Sequence, residues 1–126
     1  MTKDSLFLLF ALGGCHTIAD YIVMTPTILS AKSKGTPVFP IINHAAIHAL
    51  LMGFVMFFMV SNTKLVPFLM IYELITHSII DILKGRCNVW FPSVVSNVNK
   101  IHWILFGLDQ YLHFFVIVTI VYFSKM

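Results

Sequence analysis

Residues 65–83 read LVPFLMIYELITHSIIDIL, and in this otherwise apolar run Glu73, His77 and Asp81 recur at every fourth position. A helix advances about 1.5 Å per residue, so about 20 apolar residues cross a hydrocarbon core of about 30 Å. The segment therefore predicts a transmembrane helix. Residues four apart share a helix face, with Cβ atoms about 5–6 Å apart, which puts the three ionisable groups on one stripe. A carboxylate at mid-membrane costs about 2.5–3.5 kcal/mol on insertion scales, so that stripe must face other helices and not lipid.

Three more segments, 5–24, 41–60 and 101–123, are comparably long and apolar, and each carries one pair at the same spacing. These are His16 with Asp20, His44 with His48, and Asp109 with His113, beside His77 with Asp81. The expected fold is all-α: one domain over 1–126, an integral membrane four-helix bundle with a metal site between the helices. Residues 25–40, with Pro26, Gly35, Pro37 and Pro40, read as a loop, as do 61–64 and 84–100. Gly13 and Gly14 read as a point of close helix approach. A lipidation signal ending at Cys15 fits less well, since Asp4 cancels the amino-terminal charge and the chain stays apolar to Met24.

Composition agrees. Of 126 residues 59% are hydrophobic and 10% charged, against about 45–50% and about 25% in soluble domains. Mean hydropathy is +0.91. Disorder, collagen, coiled coil and a soluble nucleic-acid module are excluded, and the net charge of +3 belongs to loops at a membrane surface. Cys15 and Cys87 form neither a disulfide framework nor a metal clip. Lys32, Lys34, Lys84, Arg86 and Lys100 oppose Lys3, Lys64 and Lys125, which puts the first and third loops in the cytoplasm and both termini outside.

The chain has five acidic residues and six histidines, and only Asp4 and His102 stand outside the paired stripes. Counted from the loop-one and loop-three side, all four pairs lie about 3–18 Å deep, in the leaflet nearer the cytoplasm. Four unpaired carboxylates there would approach about 10 kcal/mol, which rivals the stability of a whole domain. Two divalent cations would neutralise Asp20, Glu73, Asp81 and Asp109, with neutral imidazoles completing the shell. The expected metal ligands are thus His16, Asp20, His44, His48, His77, Asp81, Asp109 and His113. The expected cofactors are two or more divalent ions, with zinc preferred and iron or manganese also compatible. Glu73 is the expected catalytic base or an extra ligand. Lys84 and Arg86, with Lys32, Lys34 and Lys100, would receive a phosphate headgroup at the mouth. Tyr72 and Tyr111 stand near the ligands, Gln110 should point about 100° away from Asp109, and residues 88–92 read as an interfacial lid.

The stretches His16-Thr17-Ile18-Ala19-Asp20-Tyr21, His44-Ala45-Ala46-Ile47-His48-Ala49, His77-Ser78-Ile79-Ile80-Asp81-Ile82-Leu83-Lys84 and Asp109-Gln110-Tyr111-Leu112-His113 resemble the DUF3307 family of small bacterial and phage inner-membrane proteins. The resemblance covers nearly the whole chain. It departs after the first Asp, where the family often has Phe-x-Leu-Gln and this chain has Tyr21-Ile22-Val23-Met24. It implies a multi-pass protein of the bacterial inner membrane and assigns no activity. Thr76-His77-Ser78 and the His-x-x-x-Asp spacing are more loosely similar to YdjM-type membrane hydrolases and zinc-dependent phospholipase C proteins.

Three functional classes stand. The first is a di- or tri-metal hydrolase of a phosphoester or acyl bond in a lipid or membrane-delivered substrate. The second is a divalent metal transporter, disfavoured by the apolar outer halves of the helices; an oxidative di-iron enzyme is set aside because such sites hold more clustered His. The third is a non-enzymatic phage or bacterial membrane partner with a structural metal. Membrane lipid is the expected partner and the Phe-rich faces suit a homo-oligomer, whereas no nucleic-acid partner is expected.

Overall fold

The computed structural model describes residues 3–125. Five α-helices follow one another: α1 (Lys3–Tyr21), α2 (Pro26–Lys34), α3 (Val38–Met59), α4 (Val66–Trp90) and α5 (Lys100–Phe123). Short 3₁₀ turns, Thr63–Leu65 and Pro92–Val94, lead into α4 and out of it, and no strand occurs among the described residues. Three stretches are long and apolar enough to cross a membrane: Val38–Met59, Thr63–Trp90 and Lys100–Phe123. The pair α1 and α2, bent by 99° at the break, counts as a fourth only when taken together.

Two segments expected to be loops are helical. α2 occupies much of 25–40, and its signals are local. The Thr25 hydroxyl accepts from the Ile28 amide at 3.3 Å, Pro26 opens the first turn where its missing N–H costs nothing, and Gly35 closes the helix at φ 68°. Pro26 and Gly35 are therefore a start and a stop, not a loop signature. Likewise α4 continues from the expected end at 83 to Trp90, so Lys84, Arg86 and Asn88 project from helix, and the expected lid at 88–92 is mostly the last turn of α4.

α1 packs on α3 and α5, α4 packs on the same two helices, and α2 lies on α3 and α4. Buried Leu8, Leu12, Met52, Met56, Leu69 and Ile120 fill the half of the interior nearer the ends of the chain. Large apolar side chains such as Phe7, Phe10, Phe54, Phe58 and Phe68 point outward and are exposed, as an apolar solvent permits. At the opposite end α2 crosses α4 with Gly35 against Gly85. A Cβ on Gly85 would collide with the Gly35 backbone, and one on Gly35 would meet Ile82 O at 2.7 Å. That backbone contact brings Lys32 inward. Gly13 and Gly14 do not mark a close approach: a Cβ at either meets nothing within 4 Å.

Candidate metal centre

The i, i+4 pairs converge. His16, His44, His48, His77 and His113, with Glu73 and Asp81, are all buried, and Asp20 sits at their edge. The imidazoles of His48 and His77 have centroids 3.9 Å apart, His77 and His113 4.3 Å, and His16 and His48 4.7 Å. Four helices thus contribute to one pocket, because each presents its ionisable stripe inward where lipid would penalise it.

Donor atoms in this pocket lie at ligand-like separations. Three groups each have one nitrogen or oxygen per residue within 4.8 Å of the others: His16, His48, Glu73 and His77; Asp20, His44, His48 and His77; and His77, Asp81 and His113. His77 belongs to all three, with Nδ1 toward Glu73 and Nε2 toward Asp81. Neighbours orient several of these ligands. His113 Nδ1 faces the Asp109 carbonyl at 2.9 Å, leaving Nε2 toward Asp81, and His77 Nδ1 faces Glu73 Oε1 at 3.2 Å. Such contacts set the tautomer and the ring direction of a metal-binding imidazole. His16 Nδ1, His44 Nδ1, His48 Nδ1 and Glu73 Oε2 are buried without a hydrogen-bond partner. Buried polar groups are ordinarily satisfied, and the free oxygen of Glu73, together with His77 Nε2 and His113 Nε2, which also lack a hydrogen-bond partner, leaves lone pairs that suit a cation.

Lys32 is the member that sequence reasoning misjudged. Its ammonium donates to Asp20 Oδ1 at 3.1 Å, lies 3.1 Å from Asp81 Oδ2 and 3.2 Å from His44 Nε2, and its side chain is only 14% exposed. Asp20 Oδ1 also lies 3.0 Å from His44 Nε2 and 3.4 Å from His48 Nε2. Lys32 therefore reaches the ligand cluster itself and does not wait at the mouth. Asp109, expected as a ligand, stands apart from the three groups: Lys84 Nζ donates to its Oδ2 at 2.7 Å and Gln110 Nε2 to the same oxygen at 3.1 Å. Gln110 thus turns back to Asp109, against the expectation that it would point away. Glu73, expected as the catalytic base, is 2% exposed and lies among the candidate ligands. Arg86 flanks Gly35 at the helix crossing and does not line the cleft beside the centre, whereas Lys32 and Lys84 do. Tyr111 is exposed, and His102 lies outside the centre, facing Val94 O at 2.8 Å.

That cleft, of about 490 Å³, opens where the end of α1 meets α5, with α2 and α4 on its other sides, and is bounded by Asp20, Lys32, Lys84, Asn88, Phe106 and Asp109. A separate groove of about 510 Å³ runs between α1 and α5, with His16, Thr17 and Gln110 among its walls.

A family model described as protein of unknown function (DUF3307) matches residues 6–126. No curated protein and no solved structure matches the chain.

Proposed function

Because the chain belongs to this family, whose description assigns no activity, we propose from the chemistry of the site that it is an integral membrane metal-dependent hydrolase of a phosphoester or acyl bond, working in the bacterial inner membrane. The observation that carries the reading is the buried His, Asp and Glu donor set, partly unsatisfied, lying beside an open cleft that holds two lysines. A buried structural site would need no cleft. A divalent cation held there supplies Lewis acidity, polarising a phosphoryl or acyl oxygen and making water acidic enough to attack near neutral pH. His48 and His77, which recur among the groups, would hold it together with Asp20 or Glu73. Lys84, 26% exposed, is free enough to meet an anionic head group, while its contact with Asp109 keeps it aimed into the cleft.

Charge counting refines the expected ion number. Asp20, Glu73, Asp81 and Asp109 bring four negative charges, and Lys32 and Lys84 return two. With neutral imidazoles, one divalent cation balances the resting site. A second would leave an excess of two positive charges, which a phosphate dianion would cancel.

Transport fits less well, because beyond the candidate ligands the interior is closed by Leu12, Met52, Met56 and Ile120, each 0% exposed, and the buried polar residues described further on are Ser5 and Ser124, near the helix ends. Elemental analysis of protein purified in detergent is expected to give a stoichiometric transition metal that His48→Ala and Asp81→Ala lose and His102→Ala keeps. Metal-loaded protein is expected to turn over a member of a panel of lipid and soluble phosphoesters and acyl esters. Metal-free wild type, or full metal loading with no turnover across the panel, defeats the reading.

A further inference from the structure

The two openings to the centre are stacked along one seam. The cleft with Lys32 and Lys84 lies toward the start of α5, at Phe106 and Asp109, and the groove between α1 and α5 runs on past Phe114 to Ile117. From Phe106 to Ile117 is about 16 Å along the helix axis, the length of much of one leaflet. Gln110 walls both openings. Charged groups therefore sit at the end near the loops, where Lys32 and Lys84 are each paired with a carboxylate of the same cleft, Asp20 and Asp109, and a cation held by the donor cluster would tip the balance toward an anion; apolar walls lie at the end inside the span.

The groove owes its depth to Gly13 and Gly14, where a Cβ would find empty space. It is not merely a greasy surface. His16, 8% exposed and with Nδ1 unpartnered, is among its walls, so a chain lying in the groove passes beside the candidate ligands. The order from charged cleft, past the donor cluster, to apolar groove matches the order of head group and tail in a lipid standing in its leaflet.

We propose that the seam between α1 and α5 binds a single-chain amphiphile with an anionic phosphate head, the phosphate at Lys32 and Lys84 and the hydrocarbon tail over Gly13 and Gly14. This deepens the hydrolase reading and rests on it for the fate of the bound head group, but binding is testable without turnover. Lys84 is the principal phosphate contact, being the more exposed of the two lysines; Lys32 adds charge from behind it. A neutral amphiphile of equal length lacks the partner these ammoniums attract, and free phosphate lacks the tail.

The test uses the full chain in dodecyl maltoside micelles, titrated with dodecyl phosphate, inorganic phosphate and dodecanol by calorimetry. Dodecyl phosphate is expected to bind at least about ten-fold more tightly than either of the others, a gap of about 1.4 kcal/mol. Gly14→Leu projects into open space and is expected to fold with wild-type metal content. It should weaken dodecyl phosphate at least about ten-fold while leaving inorganic phosphate unchanged, and Lys84→Gln should weaken both. Binding of dodecyl phosphate no tighter than inorganic phosphate, or insensitive to Gly14→Leu, overturns the proposal, as does equal binding of dodecanol. Binding with these sensitivities but no hydrolysis of any phosphoester keeps the proposal and removes the hydrolase reading. Hydrolysis of p-nitrophenyl phosphate with no chain-length preference and no Gly14→Leu effect does the reverse.

Discussion

Lys32→Met probes the electrostatics of the centre most directly. The ammonium lies 3.1 Å from a carboxylate oxygen of Asp20 and 3.1 Å from one of Asp81, whose side chain is 1% exposed. At an effective dielectric of about 20, unit charges at that separation attract by about 5 kcal/mol per pair before desolvation is subtracted. Removing one partner from a buried pair costs about 3–5 kcal/mol net, because the remaining charge is left uncompensated. Without metal the variant is therefore expected to melt well below wild type, by about 8 °C or more for a chain of this size. The same substitution makes the cluster more negative by one charge, so a divalent cation is attracted more strongly. Zinc should then raise the melting midpoint of the variant by more than it raises that of wild type. Scanning fluorimetry of the full chain in detergent, with chelator and with saturating zinc, measures both midpoints. If the chelated variant melts with wild type, or if zinc stabilises it less, then Lys32 neither neutralises the carboxylates nor shares their space with a cation, and the one-cation balance is wrong.

Asp109→Asn is expected to retain metal, because Asp109 is held by Lys84 and Gln110 outside the ligand groups, whereas Asp81→Asn should lose at least about ten-fold in cation affinity by equilibrium dialysis. Gly85→Ala should destabilise by about 1–3 kcal/mol, since its Cβ would strike the Gly35 backbone and push α2 off α4. Gly53→Ala makes the contrast in the same melting assay: the atoms nearest its Cβ belong to the flexible Met70 side chain, not to backbone, and a helix-propensity gain of about 1 kcal/mol offsets the adjustment. Thr25→Ala should cost about 0.5–2 kcal/mol by removing the hydroxyl that caps α2, and the loosened Lys32 should, like Lys32→Met, leave the carboxylates more open to zinc and so raise zinc affinity.

The long helices were legible because their cause is local and strong. About 20 apolar residues can satisfy their backbone in lipid only as helix, and that demand acts within each segment. The candidate ligands on α1, α3 and α4, and His113 on α5, were legible for the same kind of reason: an i, i+4 spacing fixes a shared face wherever the helix goes. α2 was legible too, in Thr25, Pro26 and Gly35, but these signals were read as a loop because breakers and caps use the same residues.

Other features depend on which helices become neighbours, and no segment carries that information alone. The Gly35 and Gly85 crossing turns Lys32 from a surface residue into a neighbour of the candidate ligands, and Lys84 reaches from α4 to hold Asp109, which stands outside the three donor groups. Gly13 and Gly14 allow either a close helix contact or an open groove, and the distance between α1 and α5 at their level selects the groove. Periodicity along the chain thus dictated the apolar rods and the face on which each carries its ionisable groups. Packing, through long-range steric and charge contacts that no local propensity encodes, chose which of those groups meet, which lysines neutralise them and where the centre opens.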